Sequence, residues 1–239
     1  MSIRRPFPDG SGIFETLRTE DGSVAELTRH MRRARKSAQG LEIEMPDEEI
    51  LRSEIDASLT LNPHPIGRLR ICISHSGFVV THDQYEDIQT LARLTFHSAS
   101  THAVGEQVKA YPYDWNYQVL DTARDYGFDD AIIFNTENNV TETAISNLVL
   151  RIDGTWVTSP ISAGILPGVM RAIAIERCGV TVRNIHISEI PEVEEALLLS
   201  SLKIAQPVSH IGDFSMQLSP SVLELEAKIR ASVEYFSVR

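Results

Sequence analysis

Cysteine is nearly absent from this chain: Cys72 and Cys178 are the only two among 239 residues. Two distant thiols form neither a disulfide framework nor a close metal-type pair, so two reduced core cysteines are expected. Basic residues are also scarce. Lys and Arg number 22 against 33 Asp and Glu, a net charge of −11. That balance argues against a nucleic-acid binder, which would carry a basic face. No run of about 18 apolar residues occurs, so no membrane span is expected. The opening Met-Ser-Ile-Arg-Arg-Pro lacks an apolar leader core, and the chain is read as cytoplasmic. Internal repeats and low-complexity tracts are missing too.

What remains is ordinary for a globular protein: 42% hydrophobic and 23% charged residues, in a length that allows one large or two small domains. A turn at Pro8–Ser11 precedes a strand-like Gly12–Arg18, and Glu20-Asp-Gly22 reads as a hairpin turn. Leu27, Met31, Ala34, Ala38 and Leu41 form a helical stripe. Asp47 is a suitable cap for a second helix through Leu51, Ile55 and Leu59. Arg68–Ser74 and Phe78–Thr81 suggest a hairpin around His75-Ser-Gly77. The polar stretch from His82 to Leu91 reads as a linker. The expected domains are therefore residues 1–86, a small α/β unit, and residues 87–239, a larger one.

In the second part, Arg93–His97 alternates like a strand, and a loop from Ser98 to about Val108 leads to a helix ending at Gly127. Ala131–Phe134 reads as a buried strand followed by a turn at Thr136–Asn139. Asp153-Gly154 marks a hairpin between Asn147–Leu150 and Thr155–Thr158. Gly168–Cys178 reads as a helix closed by Gly179, Leu197–Ser200 as a buried strand, and Ser219-Pro220 as the opening of a last helix.

Chemistry enters with Lys109, Glu142 and the run Ile165-Leu-Pro-Gly-Val-Met-Arg171. A lysine amine can condense with an aldehyde, a carboxylate can keep a pyridine nitrogen protonated, and a helix N-terminus can offer N–H groups to a phosphate. Together they describe a pocket for a phosphorylated pyridine aldehyde. The ordered motifs around them are more specific than any one residue: Phe14-Glu-Thr-Leu-Arg18; Leu27, His30, Arg33, Ser37 and Ala38; Asp129-Asp-Ala131; Val140-Thr-Glu142; Asn147-Leu-Val149; and Leu166-Pro-Gly-Val-Met-Arg171.

This set resembles the class IV aminotransferase family, fold type IV of the pyridoxal 5'-phosphate enzymes, over roughly Gly12 to Pro207. Within it the resemblance is strongest to the 4-amino-4-deoxychorismate lyases, above all lyase domains fused to aminodeoxychorismate synthase. The resemblance implies an α/β (α+β type) fold of two domains like that of D-amino acid aminotransferase. A small N-terminal domain would be joined to a larger pseudo-barrel domain that binds the cofactor.

The resemblance also implies roles. Lys109 lies 22 residues before Ala131, the family spacing for the Schiff-base lysine. Such an amine must be unprotonated to react, so its surroundings are expected to lower its pKa. Pro112 departs from the family pattern, and Val108–Pro112 has the look of a strand carrying a surface lysine. Glu142 matches the glutamate that pairs with the pyridinium nitrogen. Arg33 matches the phosphate arginine, joined by the N–H groups of Val169 and Met170 and the hydroxyl of Ser201. Arg33 also fits a solvated basic face with its neighbours. Tyr113 would meet the cofactor's phenolic oxygen or simply pack. Arg70, with Arg68 as competitor on the same strand face, would hold a substrate carboxylate, and Lys203 could do the same. Thr16 stands where transaminases of the family carry Gly or Val, and its hydroxyl could position or relay a proton. His75 replaces a common Arg. No metal ligands are expected.

Three functions follow. The first is a lyase that releases pyruvate from 4-amino-4-deoxychorismate to give 4-aminobenzoate for folate synthesis. The second is a transaminase of branched-chain or D-amino acids acting on a small amine substrate. The third is a catalytically inactive relative that binds a ligand. Relatives imply a homodimer with the active site between the domains, and a functional link to aminodeoxychorismate synthase.

Overall fold

The structure is a computed structural model that describes Pro8, residues 10–101 and residues 105–238. Asp9 of the expected opening turn and residues 102–104 of the expected loop lie outside the described residues. The chain forms two compact units. One takes residues up to Asp87, Val108–Pro112 and residues from Glu234 on; the other takes Ile88–Gln107 and Tyr113–Val233. The expected boundary after residue 86 lies beside the one at Asp87, and beyond it the chain returns twice to the first unit, because two short segments complete its sheet.

The first unit is built on β1 (Gly12–Glu20), β2 (Ser23–Ala25), β3 (Ile66–Ser74) and β4 (Gly77–Gln84), with helices α1 (Leu27–Gly40) and α2 (Glu48–Leu61). The later strands β6 (Ala110–Tyr111) and β15 (Tyr235–Phe236) join it. The sheet order is β15-β2-β1-β3-β4, and β6 also pairs with β1. The long pairs are antiparallel, with Phe14 opposite Cys72, Thr16 opposite Arg70 and Arg18 opposite Arg68. Strand periodicity puts alternate residues on opposite faces. Ile13 and Leu17 of β1 join Leu69, Ile71 and Ile73 of β3 in one core with Leu27, Ala34, Ala38, Leu51, Ile55 and Leu59 of the helices. Phe14, Thr16, Arg18, Arg68 and Arg70 therefore share the other face.

Local signals are met where backbone chemistry is decisive. Asp47 caps α2 by accepting from the N–H groups of Glu49 and Ile50. Asp21 and Gly22 adopt positive φ in the β1–β2 turn. Two expectations need correction. Leu41 follows α1 and is exposed, while His30 and Ser37 occupy the buried face, so the inward stripe is rotated toward polar residues. His82–Gln84 continues β4 rather than opening a linker. His82 is buried because its Nδ1 donates to the carbonyl of Asn62 at 2.7 Å and its Nε2 lies 2.8 Å from Thr19 Oγ1. Partnering of this kind makes burial of a polar ring tolerable.

The second unit contains β5 (Ala92–Phe96), β7 (Asp130–Phe134), β8 (Val140–Thr143), β9 (Asn147–Ile152), β10 (Thr155–Thr158), β11 (Thr181–Val182), β12 (Glu195–Ser200), β13 (Ile204–Ile211) and β14 (Phe214–Ser215). Its helices are α3 (Asp114–Asp125), α4 (Val169–Cys178) and α5 (Pro220–Ala231). Strand order is β11-β10-β9-β12-β13-β5-β7-β8, with β14 on β13. The β5–β7 and β5–β13 pairs are parallel and β9–β12 is antiparallel. Strand β7 is buried throughout. Ile132 and Phe134 enter the main core, while Ala131 and Ile133 pack with Val119, Leu120 and Ala123 of α3. A strand covered on both faces reads as a continuous apolar run, as Ala131–Phe134 does. Ser219 caps α5 with Pro220 at its first position. Cys72 and Cys178 are free and buried. Among the described residues no helix is long and apolar enough to cross a membrane.

Candidate active site

In the first unit the pairing of β6 with β1 positions Lys109. The Lys109 carbonyl accepts from Phe14 N at 2.9 Å, and Ala110 and Tyr111 pair with Ile13 and Gly12. Gly12 permits that approach. A Cβ there would lie 2.2 Å from the Ile73 carbonyl oxygen and 2.6 Å from the Tyr111 hydroxyl. The Lys109 Nζ stands 4.6 Å from the centroid of the Phe14 ring, and the Arg70 guanidinium carbon is 5.6 Å from the same centroid. Thr16 is Arg70's cross-strand partner. Lys109, Phe14, Arg70 and Thr16 are thus assembled at one place. The strand-like Val108–Pro112 and the reactive-lysine assignment coexist, since the short strand anchors the backbone that carries Lys109.

Arg33 is held on the helix side of β1. Its Nε donates to Glu15 Oε1 at 2.8 Å and its Nη2 to Glu15 Oε2 at 2.6 Å. His30, one turn earlier on α1, donates from Nδ1 to Glu15 Oε2 at 2.7 Å. Glu15 and His30 are fully enclosed. Burial alone would raise the carboxyl's pKa, but Arg33 and His30 outweigh it and bring Glu15 down to about 2. Burial pushes His30 down, against the pull of Glu15, with Arg33 and Lys109 adding to the decrease. An anionic Glu15, a cationic Arg33 and a neutral His30 satisfy all three. Arg33 is therefore neither a solvated surface arginine nor loosely placed.

In the second unit Glu142 lies on β8 with both carboxylate oxygens fixed. Asn147 Nδ2 donates to Oε2 at 2.8 Å, and the Leu166 N–H donates to Oε1 at 3.0 Å. Arg171 on α4 is buried and donates from Nη2 to the Ser159 carbonyl at 2.6 Å. Its pKa is lowered by burial, and the Glu142 charge opposes the decrease. The loop between Glu142 and Asn147 is pinned by Asp130, which accepts from Ala144 N at 3.0 Å and Thr143 Oγ1 at 2.8 Å. Val169 and Met170 open α4 after Gly168, so their N–H groups belong to the first turn and have no intrahelical acceptor. The carboxylate is thus tied to the segment that opens α4, and its charge is felt by Arg171.

Ser201 and Lys203 occupy the turn between β12 and β13. Lys203 is brought near Asp130 and Asp129. Burial pushes its ammonium pKa down, and those two acids resist that while Arg124 reinforces it. Tyr113 precedes α3, with its ring edge-on to Tyr117 at 5.7 Å between centroids.

Glu15, His30, Asp130, Asn147 and Arg171 carry much of this architecture without having been assigned roles from sequence. Glu15 had left a trace: it shares parity with Ile13 and Leu17, so a charge falls on the buried face of an otherwise apolar strand.

The model of the family described as amino-transferase class IV matches residues 12–211. The chain belongs to the class IV aminotransferases. These are pyridoxal-phosphate enzymes, and this chain is one of them. A Schizosaccharomyces pombe protein provisionally named aminodeoxychorismate lyase is 25% identical over 175 residues, 70% of this chain and 74% of that protein. A Legionella pneumophila structure provisionally named 4-amino-4-deoxychorismate lyase superposes with a TM-score of 0.87 at 22% identity, covering 97% of each chain. A Brucella abortus aminotransferase crystallised with pyridoxal phosphate gives a TM-score of 0.80 at 21% identity, over 95% of this chain and 93% of that one. These likenesses extend the fold type IV architecture across both units.

The residues present fit the cofactor. In the second unit Glu142 is an oriented carboxylate suited to a ring N–H and the α4 first turn suits a phosphate; in the first unit Lys109 carries an amine of the kind that condenses with an aldehyde.

Proposed function

We propose that this class IV enzyme is a 4-amino-4-deoxychorismate lyase, which releases pyruvate and leaves 4-aminobenzoate. The observation that carries this reading is Thr16, a hydroxyl placed on the Phe14 face of β1, opposite Arg70 and beside the ring under the Lys109 amine. The names borne by the S. pombe and L. pneumophila proteins support the same substrate.

Bound pyridoxal phosphate supplies an electron sink for a carbanion at the amine-bearing carbon. In this reading Arg33, Ser201 and the Val169 and Met170 N–H groups hold its phosphate. Glu142 holds its ring nitrogen protonated, and Tyr113 faces its phenolic oxygen. Lys109 takes the proton from the amine-bearing carbon. The electron pair left by that proton forms a new double bond in the substrate ring as the carbon–oxygen bond to the enolpyruvyl group breaks, the pair of that bond leaving on the oxygen. The Thr16 hydroxyl delivers a proton toward the departing enolpyruvate, which becomes pyruvate, and the ring becomes aromatic. Arg70 and Lys203 hold substrate carboxylates. The product would feed folate synthesis, in a cytoplasmic homodimer served by a synthase that makes the substrate.

The assay supplies 4-amino-4-deoxychorismate and follows pyruvate and 4-aminobenzoate, which should appear in equal amounts. A parallel reaction supplies branched-chain or D-amino acids with 2-oxoglutarate. Glutamate there, with no pyruvate in the first reaction, would replace the lyase by a transaminase.

A further inference from the structure

Gly168 poses a problem that its backbone does not solve. Its φ of −67° and ψ of 139° are open to any residue, so the turn does not demand glycine. Space does. A Cβ at position 168 would lie 1.7 Å from Asn147 Oδ1. The close neighbour is a buried amide whose nitrogen is engaged elsewhere. Asn147 Nδ2 donates to Glu142 Oε2 at 2.8 Å and to the Leu166 carbonyl at 3.0 Å. The same Leu166 carbonyl accepts from Gly168 N at 2.8 Å, and Leu166 N donates to the other oxygen of Glu142 at 3.0 Å. The amide has one orientation. Reversed, its oxygen would face a carboxylate and a carbonyl, neither of which donates.

We propose that Asn147 is a positioning residue, a strut joining Glu142 to the turn that opens α4, and that Gly168 is glycine to admit it. The proposal rests on the reading that Glu142 meets the cofactor's ring nitrogen and the α4 first turn its phosphate. Those contacts then hold a fixed spacing, because one amide ties the carboxylate to the segment just ahead of the amide donors. A rigid ligand held at both ends is bound well only by contacts whose separation is already set.

The test has two arms in the full-length chain. The first needs no cofactor. Gly168→Ala should lower the thermal midpoint of the apo-protein, and Asn147→Gly added to it should raise the midpoint above that of Gly168→Ala alone by clearing the collision. A double variant less stable than both single variants would overturn the strut. The second arm measures binding of pyridoxal phosphate and of its 1-deaza analogue, in which CH replaces the ring nitrogen, to wild type and Asn147→Leu. Loss of the tie should weaken both ligands, by roughly ten- to a hundredfold for the natural cofactor. An unchanged affinity for the deaza analogue would show that Asn147 serves Glu142 alone and would overturn the coupling. Wild-type protein that binds both ligands equally would instead remove Glu142 from the ring nitrogen, a different failure.

Discussion

Arg33 grips Glu15 with two nitrogens, Nε at 2.8 Å and Nη2 at 2.6 Å, inside a pocket that also holds the His30 ring. The pair explains how the arginine proposed to meet a phosphate is held in one place. One carboxylate fixes the plane of the guanidinium, and a fork so oriented loses little freedom on binding.

Acid should reveal that pair. Glu15 has its pKa lowered from 4.5 to about 2 in the fold, so its contribution to stability is complete above 4.5 and is lost as pH falls toward 2. The amount at stake is on the order of 3 kcal/mol. His30, also depressed in the fold, acts in the same direction as pH drops below its ordinary 6.5. Glu15→Gln should be less stable than wild type at pH 7, because Arg33 loses its counter-charge. It should also show a shallower decline of unfolding free energy between pH 4.5 and 2. Urea unfolding across that range is the measurement, and parallel curves for the two proteins would contradict the assignment.

A methyl group at position 12 tests how Lys109 is seated. Gly12→Ala must displace both the Ile73 carbonyl and the Tyr111 ring, and the carbonyl belongs to the central β1–β3 ladder. The expected cost is about 2–3 kcal/mol by urea denaturation. The β1–β6 pairing should yield first, so amide exchange at Phe14, whose N–H donates to the Lys109 carbonyl, should accelerate more than exchange at Leu17. Equal acceleration would mean that the strand carrying Lys109 is not the weak point.

The sequence disclosed elements wherever local chemistry dominates. Asp47 and Ser219 cap helices, Asp153-Gly154 turns a hairpin, and Ala131–Phe134 is apolar because both its faces are covered. It concealed what depends on partners distant in the chain. His82 looked like linker because only Thr19 and Asn62, remote in sequence, make its burial tolerable. The return of Ala110–Tyr111 to β1 leaves almost no pattern in two residues. Within the site, residues read as reactive were recognisable by type and order. The acids and the amide that orient them, Glu15, Asp130 and Asn147, stand within the motifs, but what they hold is visible only in their bonds.

Asp130 offers a check on that hidden support. It takes hydrogen bonds from the N–H groups of Ala131 and Ala144 and from the Thr143 hydroxyl while wholly enclosed. Asp130→Ala should leave the Ala131 and Ala144 N–H groups without that acceptor, while the Thr143 hydroxyl keeps the Ser146 carbonyl at 2.9 Å, costing about 2 kcal/mol or more. The 143–146 loop should loosen, raising hydrogen exchange at Ala144 and weakening cofactor affinity through Glu142 and Asn147 on either side. Full affinity with a mobile loop would separate Asp130 from the cofactor cluster.

Lys109→Ala is the most direct prediction, because a covalent bond is either made or not. Wild-type protein mixed with pyridoxal phosphate should turn yellow, and borohydride should then fix the cofactor to one peptide, the one containing Lys109. The alanine variant should give neither the colour nor the adduct, yet still bind the cofactor, since Arg33, Glu142 and the α4 first turn are untouched. Its activity should fall by a factor of at least about a thousand, as the loss of a proton-transferring nucleophile usually costs. Lys203, the other half-buried amine of the site residues, provides the contrast. Its depressed pKa makes it the natural rival for the aldehyde. Lys203→Ala should keep both colour and adduct, with a raised KM for a carboxylate-bearing substrate. An adduct found on Lys203, or one surviving in Lys109→Ala, would move the reaction centre and with it the role assigned to Thr16.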